Sequence, residues 1–290
     1  MSDLKSKVEE SNEIIRSAIS EVKPQAVMAL YSGGNDSAAV LHLVHSFCHK
    51  VIHVNTGIGI EETRRHVRKT VKSLGKPLIE EKPDRQNSYR ELVLEYGFPG
   101  PSFHKISYAR LKERQLDRIC RITLGRPYGE FKSSRIMYLA GIRASESKRR
   151  ARYAKLPSKG IMDRSGRTVF VSPIYNWSRE NLDEYREVHK IKENPVSAKI
   201  HMSGECLCGA YAHPGEREEL KFWYPEFIKQ IIEPLEEEVK RKWNGSKNCV
   251  WGPNQFSKST TVDPDDGYAG PLCHNCAPKL AEMISEATEF

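Results

Sequence analysis

The chain has 290 residues, a formal net charge of +8 at pH 7 and 38% hydrophobic residues. This balance is typical of a globular protein with a sizeable core, and it argues against a disordered or fibrous chain. No apolar run approaches the ~18 residues that span a bilayer, and the first residues lack the apolar core of a signal peptide. We therefore expect a cytoplasmic protein with no membrane partner.

The first third of the chain predicts alternating helices and strands. An amphipathic helix closed by Pro24 is followed by an apolar strand, and helices and strands then alternate up to residue 81. The segments, in order, are "SDLKSKVEESNEIIRSAISEV", "AVMALYS", "SAAVLHLVHSF", "KVIHVNT", "EETRRHVRKTVKSLG" and "KPLIEE". This rhythm predicts a parallel sheet with right-handed crossovers.

The middle of the chain predicts two more buried strands and two helices. "YARLKERQLDRICRIT" reads as a helix, "RIMYLAGIR" and "TVFVSPIY" as strands, and "SRENLDEYREVHK" as a helix with Ser178 as N-cap and a carboxylate near N3. The stretch from Gly215 to Trp243 predicts helix with interruptions near Pro225 and Pro234. We expect an α/β domain over residues 1–200, Rossmann-like with helices on both faces, and a Cys-rich metal-binding extension over residues 201–290.

The loop after the first strand carries the strongest chemical signal, Ser32-Gly33-Gly34-Asn35-Asp36-Ser37. Glycines let the backbone approach a ligand closely, and the amides of a following helix N-terminus attract an anion. We expect a positive φ at Gly34, so that Gly34→Val would abolish ligand binding. The ending Gly-Lys-Ser/Thr of a Walker A loop and the G-x-G-x-x-G turn are both absent. The loop resembles the PP-loop of enzymes that split ATP between the α and β phosphates.

Other segments make that resemblance narrower. "HVNTGIGIEETRRHV", "LAGIRASESKRRA" and "VSPIYNWSRENLDEYREVHKIKENPV" are similar to segments of the phosphoadenosine phosphosulfate (PAPS) reductase family. This resemblance implies an adenine nucleotide alpha hydrolase-like fold. It also implies a nucleotide site that comprises the whole of Ser32–Ser37 together with Asn55, Thr56, Gly57, Gly141, Arg143 and Glu146.

The residue chemistry supports the same site. Asn55, Thr56 and Gly57 follow a strand at its carboxyl end, where open α/β sheets bind ligands. Arginine is suited to clamp a phosphate, and we expect Arg143 and Arg149 to neutralise charge at the α-phosphate. Asp36 is expected to hold Mg²⁺ that bridges the phosphates of ATP. The predicted catalytic set is therefore Asp36, Ser37, Arg143 and Arg149.

The cysteines suggest a metal. Five of the seven lie after residue 205, and Cys206-X-Cys208 and Cys273-X-X-Cys276 form two ligand pairs. Thiolates favour Zn²⁺ or an iron–sulfur cluster such as [4Fe–4S], and the sequence does not decide between them. Cys249 is an alternative ligand, whereas Cys48 is expected to be a small core residue.

Several functions remain open at this stage. The Glu-Cys-Gly-Leu-His motif of sulfonucleotide reductases is absent, and the plan is similar to the ATP-pyrophosphatase subunits of bacterial DNA phosphorothioation systems. That resemblance implies ATP cleavage to AMP and pyrophosphate for sulfur incorporation, with a cysteine desulfurase as sulfur donor. The alternatives are a sulfonucleotide reductase or phosphosulfate binder, and a non-catalytic nucleic-acid-binding module. A basic stretch of 14 Lys or Arg against 4 Asp or Glu, from Arg110 to Lys155, fits a nucleotide or DNA partner.

Overall fold

The protein divides into two compact units in a computed structural model, which describes residues 2–125, 135–146, 161–213 and 215–252. The first unit comprises the chain up to Ser88 and Tyr108–Cys206. The second comprises Tyr89–Ser107 and the described residues from Leu207 onwards. The chain passes from the first unit to the second after Cys206, and Tyr89–Ser107 also belongs to the second unit.

A single six-stranded sheet forms the centre of the first unit, with strand order β3-β2-β1-β4-β6-β5. The five strands that the sequence predicts are all present and pair in parallel. The remaining strand, β5, is antiparallel to β6 at the edge and was not predicted. The strands are β1 (Ala26–Leu30), β2 (Lys50–Val54), β3 (Leu78–Glu81), β4 (Ile136–Leu139), β5 (Met162–Ser165) and β6 (Thr168–Val171).

The strand order creates a switch point beside β1. From β1 the chain steps outward through β2 to β3, whereas β4 lies on the opposite side of β1. Ligands of such sheets usually bind at this switch point, in the crevice between the loops that follow β1 and β4 at the carboxyl edge of the sheet. The predicted segments 32–37 and 141–146 are those two loops.

Helices cover both faces of the sheet, as predicted. On one face a large apolar core joins alternate strand residues to the helices Ser2–Val22, Asn35–Val44, Glu61–Ser73 and Arg179–Val188. On the other face Met28, Ile52 and Tyr138 pack with α6. The helices of this unit are α1 (Ser2–Val22), α2 (Asn35–Val44), α3 (Glu61–Ser73), α6 (Arg114–Leu124), α7 (Arg179–Val188) and α8 (Pro195–Ile200), with α6 preceded by a π-turn at Ala109–Glu113.

The helix α1 is tied to the connection that leads from β6 to α7. Ser11 is fully buried, and its hydroxyl donates to the Pro173 carbonyl at 2.8 Å. The indole of Trp177 donates to the same hydroxyl at 2.9 Å. At the start of α7, Ser178 is the predicted N-cap, but the N3 partner is the Asn181 amide instead of a carboxylate.

The second unit is helical within the residues described. Its helices are α4 (Tyr89–Tyr96), α5 (His104–Tyr108, whose last residue belongs to the first unit), α9 (Glu216–Trp223), α10 (Pro225–Phe227) and α11 (Glu233–Trp243), with a π-turn at Ile228–Ile232. Pro225 begins α10 as predicted, whereas Pro234 lies in the first turn of α11 and continues the helix. No helix among the described residues is both long and apolar enough to cross a membrane.

Two buried carboxyl groups of α9 make the second unit sensitive to pH. Burial raises the pKa of both Glu216 and Glu219 to about 7. Their protonated forms are favoured in the folded state, so stability is highest below the unfolded pKa near 4.5 and falls as pH rises towards 7. We expect Glu219→Gln to raise the free energy of unfolding by about 1–2 kcal/mol at pH 8 and by much less at pH 5. Denaturant titrations at both pH values measure this difference, and an equal effect at both would contradict it.

Candidate functional site

The loop after β1 has the glycine-dependent conformation that the sequence predicts, at a different position. Gly33 has a φ of +85°, whereas Gly34 is extended with φ −83° and ψ 164°. The expectation of a positive φ at Gly34 is therefore wrong. A Cβ on Gly33 would lie 2.9 Å from Thr63 Cγ2 and 3.3 Å from Asn194 Nδ2, so this glycine is required for both backbone and space.

The N-terminus of α2 is open towards the loop. The helix begins at Asn35 with Gly34 as N-cap, and no side chain within the described part of the chain caps it. Its first amides therefore present the positive end of the helix dipole to any ligand in the loop. Ser37 Oγ donates to the Gly34 carbonyl at 2.9 Å and lies 3.1 Å from Ser32 Oγ. The two serine hydroxyls hold the loop in shape, and the backbone is left to face the ligand.

Asp36 and Arg143 form an ion pair across the crevice between the β1 and β4 loops. The Arg143 side chain is 5% exposed and that of Asp36 is 23% exposed. Arg143 Nη1 also donates to Ser145 Oγ at 3.0 Å, and this hydroxyl donates to the Trp177 carbonyl at 3.0 Å. The sequence predicted Arg143 beside phosphate and Asp36 beside Mg²⁺, whereas in this structure each is the other's partner.

Gly141 brings the β4 loop against the start of α2. A Cβ at this position would lie 2.8 Å from Ser37 N and 2.8 Å from the carbonyl carbon of Asp36. These are backbone atoms, which cannot move aside as a flexible side chain can. Gly141 is thus required by close packing of two loops.

Asn55, Thr56 and Gly57 follow β2 at the same edge of the sheet. The Asn55 amide donates to Glu80 Oε1 at 3.0 Å, and its oxygen accepts from Gly57 N at 3.0 Å. Arg68 binds Glu80 through two contacts of 2.7 and 2.8 Å and, with the Asn55 bond, lowers the pKa of Glu80 to about 2. Gly57 has a φ of +77° and open space beside it. This turn is anchored by an ionised carboxylate.

A segment that the sequence did not associate with the nucleotide site, His201–Glu205, packs on these loops. A Cβ on Gly34 would lie 3.3 Å from Ser203 Cβ, and Ile60 N donates to the Gly204 carbonyl at 2.8 Å. The Glu205 carboxylate accepts from Thr56 N at 2.9 Å. In the sequence, Glu205 is distinguished by its position next to Cys206, and that cysteine was assigned to a metal site.

Asn194 joins the same segment to α3. Its amide donates to Thr63 Oγ1 at 3.1 Å and to the Ser203 carbonyl at 3.2 Å, while its oxygen caps α8. The neighbouring Glu193 accepts from the Asn35 amide at 3.1 Å. Asn194 and Pro195, near the end of the third family-like segment, therefore lie beside the β1 loop because Asn194 links α3 to the segment that contains Ser203.

The remaining predicted residues are placed only in part. Glu146 ends the short 3₁₀ turn Ala144–Glu146 at the β4 loop. Cys206 is a half-buried residue of the first unit, and Cys208 is a buried residue of the second. Cys48 is a buried core residue as expected. Arg149, Cys273 and Cys276 lie outside the described residues, within which no group of three His, Cys, Asp or Glu side chains is arranged to hold a metal.

Known proteins resemble this chain in sequence and in fold. Adenosine 5'-phosphosulfate reductase from Mesorhizobium japonicum is 25% identical over 209 residues, which are 70% of this chain and 74% of that protein. PAPS reductase from Candida auris, in a phosphate complex, superposes with a TM-score of 0.47 at 17% identity, over 65% of this chain and 84% of that one. The U34-tRNA thiolase NcsA from Methanococcus maripaludis, with its [4Fe-4S] cluster, superposes with a TM-score of 0.43 at 14% identity, over 82% and 80% of the two chains.

The family assignment rests on a match to a protein-family model. The model of the phosphoadenosine phosphosulfate reductase domain matches residues 26–203, which is more than half of the chain. These residues include the three predicted nucleotide loops at 32–37, 55–57 and 141–146. The match confirms the resemblance predicted from the motifs. The chain therefore belongs to the phosphoadenosine phosphosulfate reductase domain family.

Proposed function

We propose that this protein binds ATP at the β1 loop and splits it into AMP and pyrophosphate, activating a substrate oxygen for replacement by sulfur. The observation that carries the proposal is the open N-terminus of α2 behind Gly33 and Gly34. Backbone amides in this arrangement bind the terminal phosphates of a nucleotide without needing a lysine. The similarity to DNA phosphorothioation enzymes makes a DNA phosphate the acceptor we propose.

Replacement of the acceptor oxygen by sulfur takes two steps and needs a sulfur donor. An oxygen of the acceptor attacks the α-phosphorus, the bond from that phosphorus to the bridging oxygen breaks, and pyrophosphate leaves with the electron pair. Sulfide from a partner, for which we propose a cysteine desulfurase whose persulfide is reduced by a thiol, then attacks the acceptor phosphorus that carries the adenylate; the bond from that phosphorus to the adenylate oxygen breaks, and AMP leaves with the electron pair. In-line transfer of this kind needs positioning and charge neutralisation more than covalent help.

Arg143 is the cation that this chain itself supplies near the loop. Its guanidinium is already oriented by Asp36 and Ser145, so it needs little rearrangement when charge develops nearby. An incoming phosphate would displace Asp36 from Arg143 and become the new partner of the guanidinium. Asp36 would then be available to a divalent ion, so the carboxylate and the arginine change partners together.

The described residues include a carboxylate suited to Mg²⁺ but only two of the four proposed ligands for zinc or an iron–sulfur cluster. Mg²⁺ prefers oxygen ligands and usually takes most of them from phosphate and water, for which the single Asp36 carboxylate is sufficient protein support. Two of the four proposed thiolate ligands, Cys206 and Cys208, lie among the described residues and form no disulfide there. A zinc ion or a [4Fe–4S] cluster on Cys206, Cys208, Cys273 and Cys276 therefore remains a proposal, and we draw no reaction step from it.

Product analysis tests the proposed function. We expect the protein, incubated with ATP, Mg²⁺ and duplex DNA, to release AMP and pyrophosphate in equal amounts, measured by anion-exchange chromatography. Asp36→Ala should reduce turnover by at least about tenfold, because it frees Arg143 and removes the carboxylate near the phosphates. The control is Glu187→Ala on the exposed side of α7. ADP as the product, or turnover indifferent to Asp36, would contradict the proposal.

One comparison favours a second candidate, a sulfonucleotide reductase. The relative at 25% identity is an adenosine 5'-phosphosulfate reductase, and the same loop would accept the anionic end of such a nucleotide. Tight binding of adenosine 5'-phosphosulfate without any cleavage of ATP would favour this alternative. DNA binding that is salt-sensitive and indifferent to Asp36→Ala would instead favour the nucleic-acid-binding module.

A further inference from the structure

Glu205 makes a buried network that joins three parts of the site. Its Oε1 accepts from Thr56 N at 2.9 Å, and its own carbonyl accepts from Thr56 Oγ1 at 2.6 Å. Its Oε2 lies 3.1 Å from His53 Nε2, and the opposite ring nitrogen of His53 lies 2.8 Å from the Tyr31 carbonyl. Tyr31 is the residue before the β1 loop, so one carboxylate connects the exits of β1 and β2.

The histidine in this network has a defined proton arrangement. A carbonyl oxygen only accepts, so Nδ1 of His53 must carry the proton that it donates to Tyr31. Nε2 then faces the Glu205 carboxylate. His53 is fully buried and Glu205 is 2% exposed, so water does not substitute for either partner.

The charge of Glu205 is balanced by Arg64 at the start of α3. Arg64 Nε lies 3.4 Å from Glu205 Oε2, and the Arg64 side chain is 11% exposed. Among the described residues, the buried Nη2 of Arg64 has no hydrogen-bond partner. Arg64 Nη1 also lies 3.5 Å from Glu61 Oε2, so the guanidinium keeps a carboxylate neighbour when Glu205 is replaced.

Two backbone segments pack closely at this network. A Cβ on Gly59 would lie 2.4 Å from the Glu205 carbonyl oxygen, so the two chain segments are in direct contact. Thr63 Oγ1 donates to the Ser203 carbonyl at 2.6 Å on the other side. The segment that precedes Cys206 is thus fixed against both predicted nucleotide loops at several points.

We propose that Glu205 is a positioning residue for nucleotide binding, which holds the Thr56–Gly57 turn and the exit of β1 in register through Thr56, His53 and Tyr31. The nucleotide in this proposal is the ATP of the proposed function, on which the proposal therefore rests. It assigns no contact between Glu205 and the nucleotide. The carboxylate acts through the backbone that it orients, and it places Cys206 at a fixed position beside that backbone.

The test compares Glu205→Ala with Glu205→Gln. Glutamine keeps an oxygen that accepts from Thr56 N, whereas alanine removes it. We expect calorimetry with α,β-methylene-ATP and Mg²⁺ to show affinity at least about tenfold weaker for alanine and within about threefold of the parent for glutamine. Glu219→Gln, which removes a buried carboxylate from the other unit, should leave affinity unchanged. Equal affinities of the parent and the alanine variant would overturn the proposal.

Amide hydrogen exchange supplies a readout that does not depend on the nucleotide. In Glu205→Ala we expect faster exchange at the Thr56 and Gly57 amides, with the strand core unchanged and with protection restored in Glu205→Gln. If the parent protein fails to bind the ATP analogue, the proposed function fails, and this exchange pattern still decides the positioning role. If alanine prevents folding, Thr56→Val removes the contacts of the Thr56 hydroxyl with Glu205 and with Ile58 N, and unchanged affinity in that variant would overturn the proposal.

Discussion

Replacing Arg143 by alanine is expected to lower the free energy of unfolding by about 2–3 kcal/mol and to weaken nucleotide binding by more than about tenfold. The change leaves the Asp36 carboxylate without its cation in a crevice where Arg143 is only 5% exposed. It also removes the donor to Ser145, which is bonded onward to the Trp177 carbonyl. The unpaired carboxylate would then repel the phosphates that the loop should attract. Denaturant titration and calorimetry measure the two effects.

A double-mutant cycle identifies the cause of the Arg143 effect. If the unpaired carboxylate is responsible, Arg143→Ala with Asp36→Ala should be less destabilised than the sum of the single variants. Arg179→Ala is the matched control, because its pair with Asp183 lies on the surface, and it should cost about 0.5 kcal/mol or less. Strict additivity, or an equal loss in the control, would show that the ion pair does not stabilise the crevice.

Replacing Gly33 by alanine is expected to weaken nucleotide binding by more than about tenfold and to destabilise the fold by about 1–3 kcal/mol. The residue combines a φ of +85° with a Cβ position 2.9 Å from Thr63 Cγ2, so the loop must shift to accept a side chain. Such a shift would move the amides that face the ligand. Calorimetry with α,β-methylene-ATP gives the affinity, and thermal unfolding gives the stability.

Gly75 provides the control for backbone strain alone. It has a φ of +64° and nothing within 4 Å of its Cβ position, so Gly75→Ala carries the conformational penalty without a clash or a ligand. We expect it to lose stability and retain affinity. Gly34→Ala, at an extended residue, should cost little stability because only Ser203 Cβ at 3.3 Å must yield. If all three variants bind nucleotide like the parent, the loop is not the phosphate site.

The sequence predicted the sheet and the loop because both are local patterns. Each parallel strand is an apolar run followed by a turn, and Ser32–Ser37 is a contiguous motif. The edge strand β5 was missed because the sequence MDRS has no apolar pattern, and pairing with β6 alone defines it. Gly34 was assigned the wrong φ because two adjacent glycines look alike in sequence.

The Glu205 network could not be predicted, because it depends on contacts between residues far apart in the chain. Thr56, His53 and Glu205 become neighbours only when the segment after α8 returns across the carboxyl edge of the sheet. The pairing of Asp36 with Arg143 has the same origin, since it spans the crevice between the β1 and β4 loops. Sequence patterns identified the charged groups, and the tertiary fold selected their partners.

The fully buried Ser11 of α1 has a consequence for where the functional unit begins. The family match starts at residue 26, after this helix, yet Ser11 holds the Trp177 indole, and the Trp177 carbonyl in turn supports Ser145 and Arg143. A fragment trimmed to the matched residues would lose the brace behind its own arginine. The smallest piece of this protein that keeps Arg143 braced in this way therefore includes α1.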